Sequence, residues 1–127
     1  MFNKLASSLA YIKVMENQFV LRRLGEPGQE ISVRATEPFT TQRLLVGSFT
    51  AAEATLKEAM QTLFPGRWIA AAPAIVIHPI SKIEGGLSEV EQRLLQELGA
   101  AVGARKVCVW VGHELSDDEV REQLKGL

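Results

Sequence analysis

Two histidines, a lysine and a pair of glycines are the residues of this chain whose types and positions best suit chemistry. His78 and His113 each fall at the expected C-terminal end of a strand, the side of an open α/β sheet where ligands gather. If those strands are neighbours, the imidazoles face one crevice, and Glu84 or Glu114 would complete a metal or acid–base site. No HxH or HxxxH spacing supports a metal, so the alternative is two strand-end histidines with ordinary hydrogen bonds. Lys82-Ile83-Glu84-Gly85-Gly86 precedes an expected helix start near Ser88, and free amides at such a terminus can hold an anion. The spacing matches neither a P-loop nor a dinucleotide fingerprint, and Ser88 already suits a cap.

Other reactive or sticky side chains read more simply. Cys108 lies between valines in an expected buried strand, where a thiol is usually inert and its pKa raised. Trp110 alternates with Val109 and Val111 as a core residue would, whereas Trp68, beside Arg67 and Pro65-Gly66, is placed to anchor a partner or to pack. Phe2, Leu5, Ala6 and Leu9 have helical spacing, but so short a segment with one lysine favours packing on a sheet over a membrane surface. The acidic run Asp117-Asp118-Glu119 with Glu122 reads as a solvated first helical turn.

The elements that position these residues follow from periodicity and turn signals. Tyr11–Met15 and Phe19–Leu24 flank Glu16-Asn17-Gln18 as a hairpin, and Gly25-Glu26-Pro27-Gly28 leads to a third strand with Ile31, Val33 and Ala35 on one face. Thr36–Phe49 is a loop with one short strand at Leu44-Leu45-Val46. Thr50 and Glu53 suit a capping box for a helix over about 51–64 that stops at Pro65-Gly66.

Ala74-Ile75-Val76-Ile77 has the continuous apolar character of a covered parallel strand. Ser88 and Glu91 cap a second helix with Val90, Leu94, Leu98 and Val102 on its apolar face, ending at Gly103. Val107–Val111 forms a buried strand, and Ser116 with Glu119 caps a third helix presenting Val120, Leu124 and Leu127. The order β-β-β-α-β-α-β-α gives a mixed sheet of about five strands, an antiparallel meander followed by parallel strands.

The 127 residues suffice for one domain and one core, with 46% hydrophobic and 23% charged residues placing the chain among globular proteins. Fourteen Lys plus Arg against fifteen Asp plus Glu argue against generic nucleic-acid binding. One cysteine cannot form an internal disulfide, and no apolar run reaches signal-peptide or membrane-span length, so a cytoplasmic location is expected.

The element order resembles the first subdomain of the actin-like ATPase fold, related to ribonuclease-H-like domains. The residues carry the resemblance further. Ile75-Val76-Ile77-His78-Pro79, Ser88-Glu89-Val90-Glu91-Gln92-Arg93 and above all Gly103-Ala104-Arg105-Lys106-Val107 look like the corresponding part of the bacterial rod-shape family MreB. Tyr11-Ile12-Lys13-Val14 looks like that family's second strand and Met1-Phe2-Asn3-Lys4 like its short N-terminal segment.

The departures bear on function. Leu5-Ala6-Ser7-Ser8 stands where the family has an Asp-x-Gly-Thr-like phosphate loop, and Gly112-His113-Glu114-Leu115 replaces its Glu-Pro and following alanines. The resemblance therefore implies part of one actin lobe without the loops that hold ATP and magnesium. The expectation is a non-catalytic module with no cofactor that binds another protein or itself through a strand edge or helix face. The competing expectation is a small-molecule or anion binder, or an enzyme, using His78, Lys82, Gly85, Gly86 and His113 above the second half of the sheet. A third is a subunit that completes a nucleotide site only with a second chain.

Overall fold

The computed structural model describes residues 8–25, 28–65 and 72–126. In chain order these form β1 (Leu9–Met15), β2 (Gln18–Arg23), β3 (Gln29–Arg34), α1 (Phe49–Leu63), β4 (Ala74–Pro79), α2 (Glu89–Ala101), β5 (Lys106–Val109) and α3 (Asp117–Lys125). The strands make one sheet in the order β3-β2-β1-β4-β5. β2 runs antiparallel to both its neighbours, while β1, β4 and β5 are mutually parallel. This is the mixed α/β sheet, meander first, that the turn and helix signals predict.

Side-chain alternation along β1 divides the core into two layers. Ala10, Ile12 and Val14 join Phe19, Leu21, Ile75 and Ile77 beneath α1 and α2. Tyr11 faces the other way, with Ala74 and Val76, against Val120 and Leu124 of α3. Because α3 packs chiefly on β4 and β5, the same face of β3 stays exposed at Glu30, Ser32 and Arg34.

Local interactions explain where the elements begin and end. Asn17 closes the β1–β2 turn at φ 57°, a left-handed conformation that asparagine tolerates. Its Oδ1 accepts the amides of Phe39 and Thr40, each at 2.8 Å. Phe39 is thereby brought onto Phe19, the buried rings stacking at 4.9 Å. The capping boxes at Ser88/Glu91 and Ser116/Glu119 form as the sequence predicts.

Several local expectations are corrected. Leu9 opens β1 rather than extending a helix, since its carbonyl accepts the Leu24 amide at 3.1 Å across the sheet. Leu44–Val46 is no strand: a turn closed by Thr41 N–H on the Leu44 carbonyl at 2.9 Å bends the chain, and Leu45 and Val46 are buried from a loop. α1 is capped by Ser48 rather than Thr50, because the Gly47 and Ser48 amides both donate to the Phe39 carbonyl and fix the chain just before Phe49. Val90 is 75% exposed, since the buried stripe of α2 runs through Leu95, Leu98 and Gly99. β5 ends at Val109, and as an edge strand it leaves Cys108 and Trp110 half-buried. Leu127 lies outside the described residues.

Gly99 sets how closely α2 approaches the sheet. A Cβ there would stand 2.7 Å from Val107 Cγ2 and 3.0 Å from Ile75 Cδ1. Alanine improves helix propensity by up to ~1 kcal/mol, whereas overpacking a tight core costs about 1–3 kcal/mol. Gly99→Ala is therefore expected to lower stability by about 1 kcal/mol net, read as a fall in the denaturant midpoint; an unchanged or higher midpoint contradicts this packing.

Candidate functional site

The C-terminal ends of β1, β4 and β5 lie together, and the chain treats the two faces of the sheet there differently. On the α3 face the end is closed by polar bonds. Leu115 N–H donates to Tyr11 Oη at 3.1 Å, the Tyr11 hydroxyl donates to His78 Nδ1 at 2.6 Å, and His78 Nε2–H donates to the Gly112 carbonyl at 2.9 Å. The direction follows because a carbonyl only accepts, which assigns the ring proton to Nε2. Arg22 lies over the Tyr11 ring and donates to Asp117 and to the Leu115 carbonyl, while Lys13 holds Glu114 at 2.9 Å. The segment between β5 and α3 is thus tied to β1, β2 and β4.

His78 is 2% exposed with both ring nitrogens engaged. Burial pushes its pKa below the ordinary imidazole value, with the Gly112 hydrogen bond opposing. Burial likewise pushes the Tyr11 hydroxyl up. His113 is exposed instead, bonding Glu119 at 3.0 Å and standing edge-on to Trp110. Lys82 adopts φ 55° and donates to the Gln42 carbonyl at 2.8 Å. Glu84 is exposed beside Gly85 and Gly86, which turn the chain at φ 83° and 96°. His78 thus lies in the α3-side closure, bonded to the residue before His113, whereas Lys82 is tied to the loop carrying Gln42. At the start of α2 the cap is internally satisfied: Ser88 Oγ accepts from Glu91 N–H and Glu91 Oε1 from Ser88 N–H.

On the α1/α2 face the same end holds an apolar crevice of about 210 Å³. It is lined by Leu44 and Val46 of the loop before α1, by Pro79, Ile83 and Leu87 after β4, and by Val90 and Leu94 of α2. Its polar liners, Ser88 and Glu91, bond each other. The large hydrophobic residues exposed among the described residues are Leu44, Ile80, Val90 and Val111, and every one belongs to this end of the sheet. Sequence reasoning missed the crevice because Val90 sits at a helical spacing that suits core as well as rim.

Cys108 is half-buried, and burial raises its thiol pKa, as expected of an inert cysteine. Among the described residues no cluster of three or more His, Cys, Asp or Glu is placed to hold a metal ion. No described helix is long and apolar enough to cross a membrane. Trp68 and the Phe2–Ala6 segment lie outside the described residues.

No family model matches the chain. A protein of Escherichia coli strain K12, named Uncharacterized protein YjaA, is 36% identical over 127 residues, with 93% of this chain and 98% of that protein covered. The chain belongs to the YjaA family. The match extends across both layers of the sheet, so family membership concerns the whole fold rather than one motif. Among solved structures, a foamy viral protease-reverse transcriptase in complex with double-stranded DNA aligns at 13% identity and TM-score 0.33, over 87% of this chain and 20% of that one. Its complex with an RNA/DNA hybrid aligns at 14% identity and TM-score 0.32, over 88% and 16% respectively.

The polar closure generates a stability test. Tyr11→Phe keeps the ring but leaves His78 Nδ1 and the Leu115 amide without a partner, an expected loss of about 2–4 kcal/mol. Because the folded His78 pKa is lowered, the unfolded chain takes up that proton first as pH falls. Wild-type stability should then decline below about pH 6.5 until the folded pKa is reached. Glu114 and Glu119, held below the ordinary carboxylate range by Lys13 and by the Ser116 amide respectively, lose their contribution only at lower pH. Denaturant midpoints across pH should show the first decline in wild type and not in His78→Gln; the same decline in both would exclude His78 as its source.

Proposed function

We propose that the chain is a non-catalytic protein-interaction module whose apolar crevice receives a bulky apolar side chain from a segment of a partner protein. The observation that carries this reading is an apolar crevice lined in part by exposed Leu44 and Val90. Exposed apolar side chains grouped in this way mark interaction sites. A small polar ligand needs placed polar groups to orient it, and the crevice's Ser88 and Glu91 are engaged with one another. Its volume of about 210 Å³ falls below the ~300–1,000 Å³ of small-molecule sites and suits one or two side chains. The MreB-like residues support a role as an assembly component of cytoplasmic cell-shape machinery, without nucleotide chemistry of its own.

Val90→Asp tests this without disturbing the fold, since the residue is exposed and an acidic side chain suits the first turn of a helix. Peptides selected from a random display library against wild-type protein should share one bulky apolar anchor and perturb the amide resonances of Leu44, Ile83, Leu87 and Leu94. Val90→Asp should keep its melting temperature and bind them roughly tenfold more weakly. Binding that ignores Val90→Asp overturns the reading, as does stabilisation by magnesium-ATP, ADP or phosphorylated metabolites that is lost on changing Lys82 or Gly86.

A further inference from the structure

The two edges of the sheet are built differently. β5 is four residues long and opens with Lys106, both features that discourage pairing with another chain. β3 is six residues long, Gln29-Glu30-Ile31-Ser32-Val33-Arg34, with neither proline nor lysine. Among the described residues no strand pairs with its outer edge.

The hydrogen-bond phase of that edge is fixed by one bond. Ala35 N–H donates to the Asn17 carbonyl at 2.8 Å, which makes Asn17 and Ala35 a bonded pair in the β2–β3 register. Bonded and non-bonded pairs alternate in an antiparallel ladder. Val33, Ile31 and Gln29 therefore bond to β2, and the N–H and C=O groups of Glu30, Ser32 and Arg34 point outward. The same three side chains lie on the exposed face, while Ile31 and Val33 pack on the core beneath α1.

We propose that β3 pairs antiparallel with β3 of a second copy of this chain, about a two-fold axis at Ser32, joining the two five-stranded sheets into one. In this register Glu30 stands opposite Arg34 of the second copy and Arg34 opposite its Glu30, so opposite charges meet twice. Among the described ion pairs, neither Glu30 nor Arg34 is engaged within its own chain. Ile31 meets Val33 and Val33 meets Ile31 on the other face, continuing the apolar layer. All the outward backbone groups of Glu30, Ser32 and Arg34 are bonded. Shifting the axis to Ile31 sets Glu30 against Ser32, and shifting it to Val33 sets Arg34 against Ser32, losing the charge pairs; residues directly opposite in a sheet interact in this charge-dependent way.

Sedimentation equilibrium over a range of concentrations tests the pairing. Wild-type protein should show a monomer–dimer equilibrium. Glu30→Arg and Arg34→Glu should each weaken dimerisation roughly tenfold or more, since each sets like charges opposite at both symmetric positions. The double variant Glu30→Arg/Arg34→Glu restores complementarity and should recover dimerisation, which separates pairing from loss of fold. Ser32→Pro, which removes an outward amide and leaves the β2 ladder intact, should give monomer with unchanged secondary structure. A monomer at every concentration overturns the proposal, and so does a dimer indifferent to the single charge reversals.

Discussion

The pairing of β1 with β2 on one side and β4 on the other is the constraint on which the remaining structure depends. It places β1 at the centre of the sheet, so its side chains are buried on both faces. On one face that requirement is met by Ala10, Ile12 and Val14. On the other it falls on Tyr11, whose hydroxyl must then find hydrogen bonds in the interior. The neighbouring strand offers His78, and the segment after β5 offers an amide and a carbonyl. A buried tyrosine and a buried histidine thus stabilise one another only while that segment is in place, which makes the position of α3 a consequence of the strand order.

This closure explains why the end of the sheet on which ligands commonly bind is unequal on its two faces. The buried polar side chains there are engaged in holding the chain after β5. The apolar side keeps its opening because α2 turns Gly99 rather than Val90 toward the sheet. With Gly99 against Val107 and Ile75, the first turn of the helix carries Val90 to the rim. Close packing near one end of a helix and exposure near the other are one orientation seen at two places.

The element order and the two serine capping boxes are legible in the sequence because they rest on local rules: alternation, apolar runs, and a cap with its glutamate three residues on. The start of α1 is not, since Ser48 is chosen over Thr50 by two amides bonding to Phe39, a contact across a loop. The role of His78 is legible only in part. Its strand-end position follows from the sequence, but its face is set by the register of β4 against β1, and its partner Tyr11 is 67 residues away in the chain. Nothing in the spacing of two histidines distinguishes a ligand group from a residue that fills a polar gap in the core.

The crevice and the β3 edge are formed by different residues, and their directions are linked by the sheet. β3 and β1 run the same way because both are antiparallel to β2. A two-fold pairing of β3 reverses the strands of the second copy, so its crevice, at the C-terminal ends of its own β1 and β4, faces the opposite end of the combined sheet. The proposed dimer therefore turns the two crevices in opposite directions. Such a pair suits a bridge between two partner molecules, whereas a single copy can hold only one.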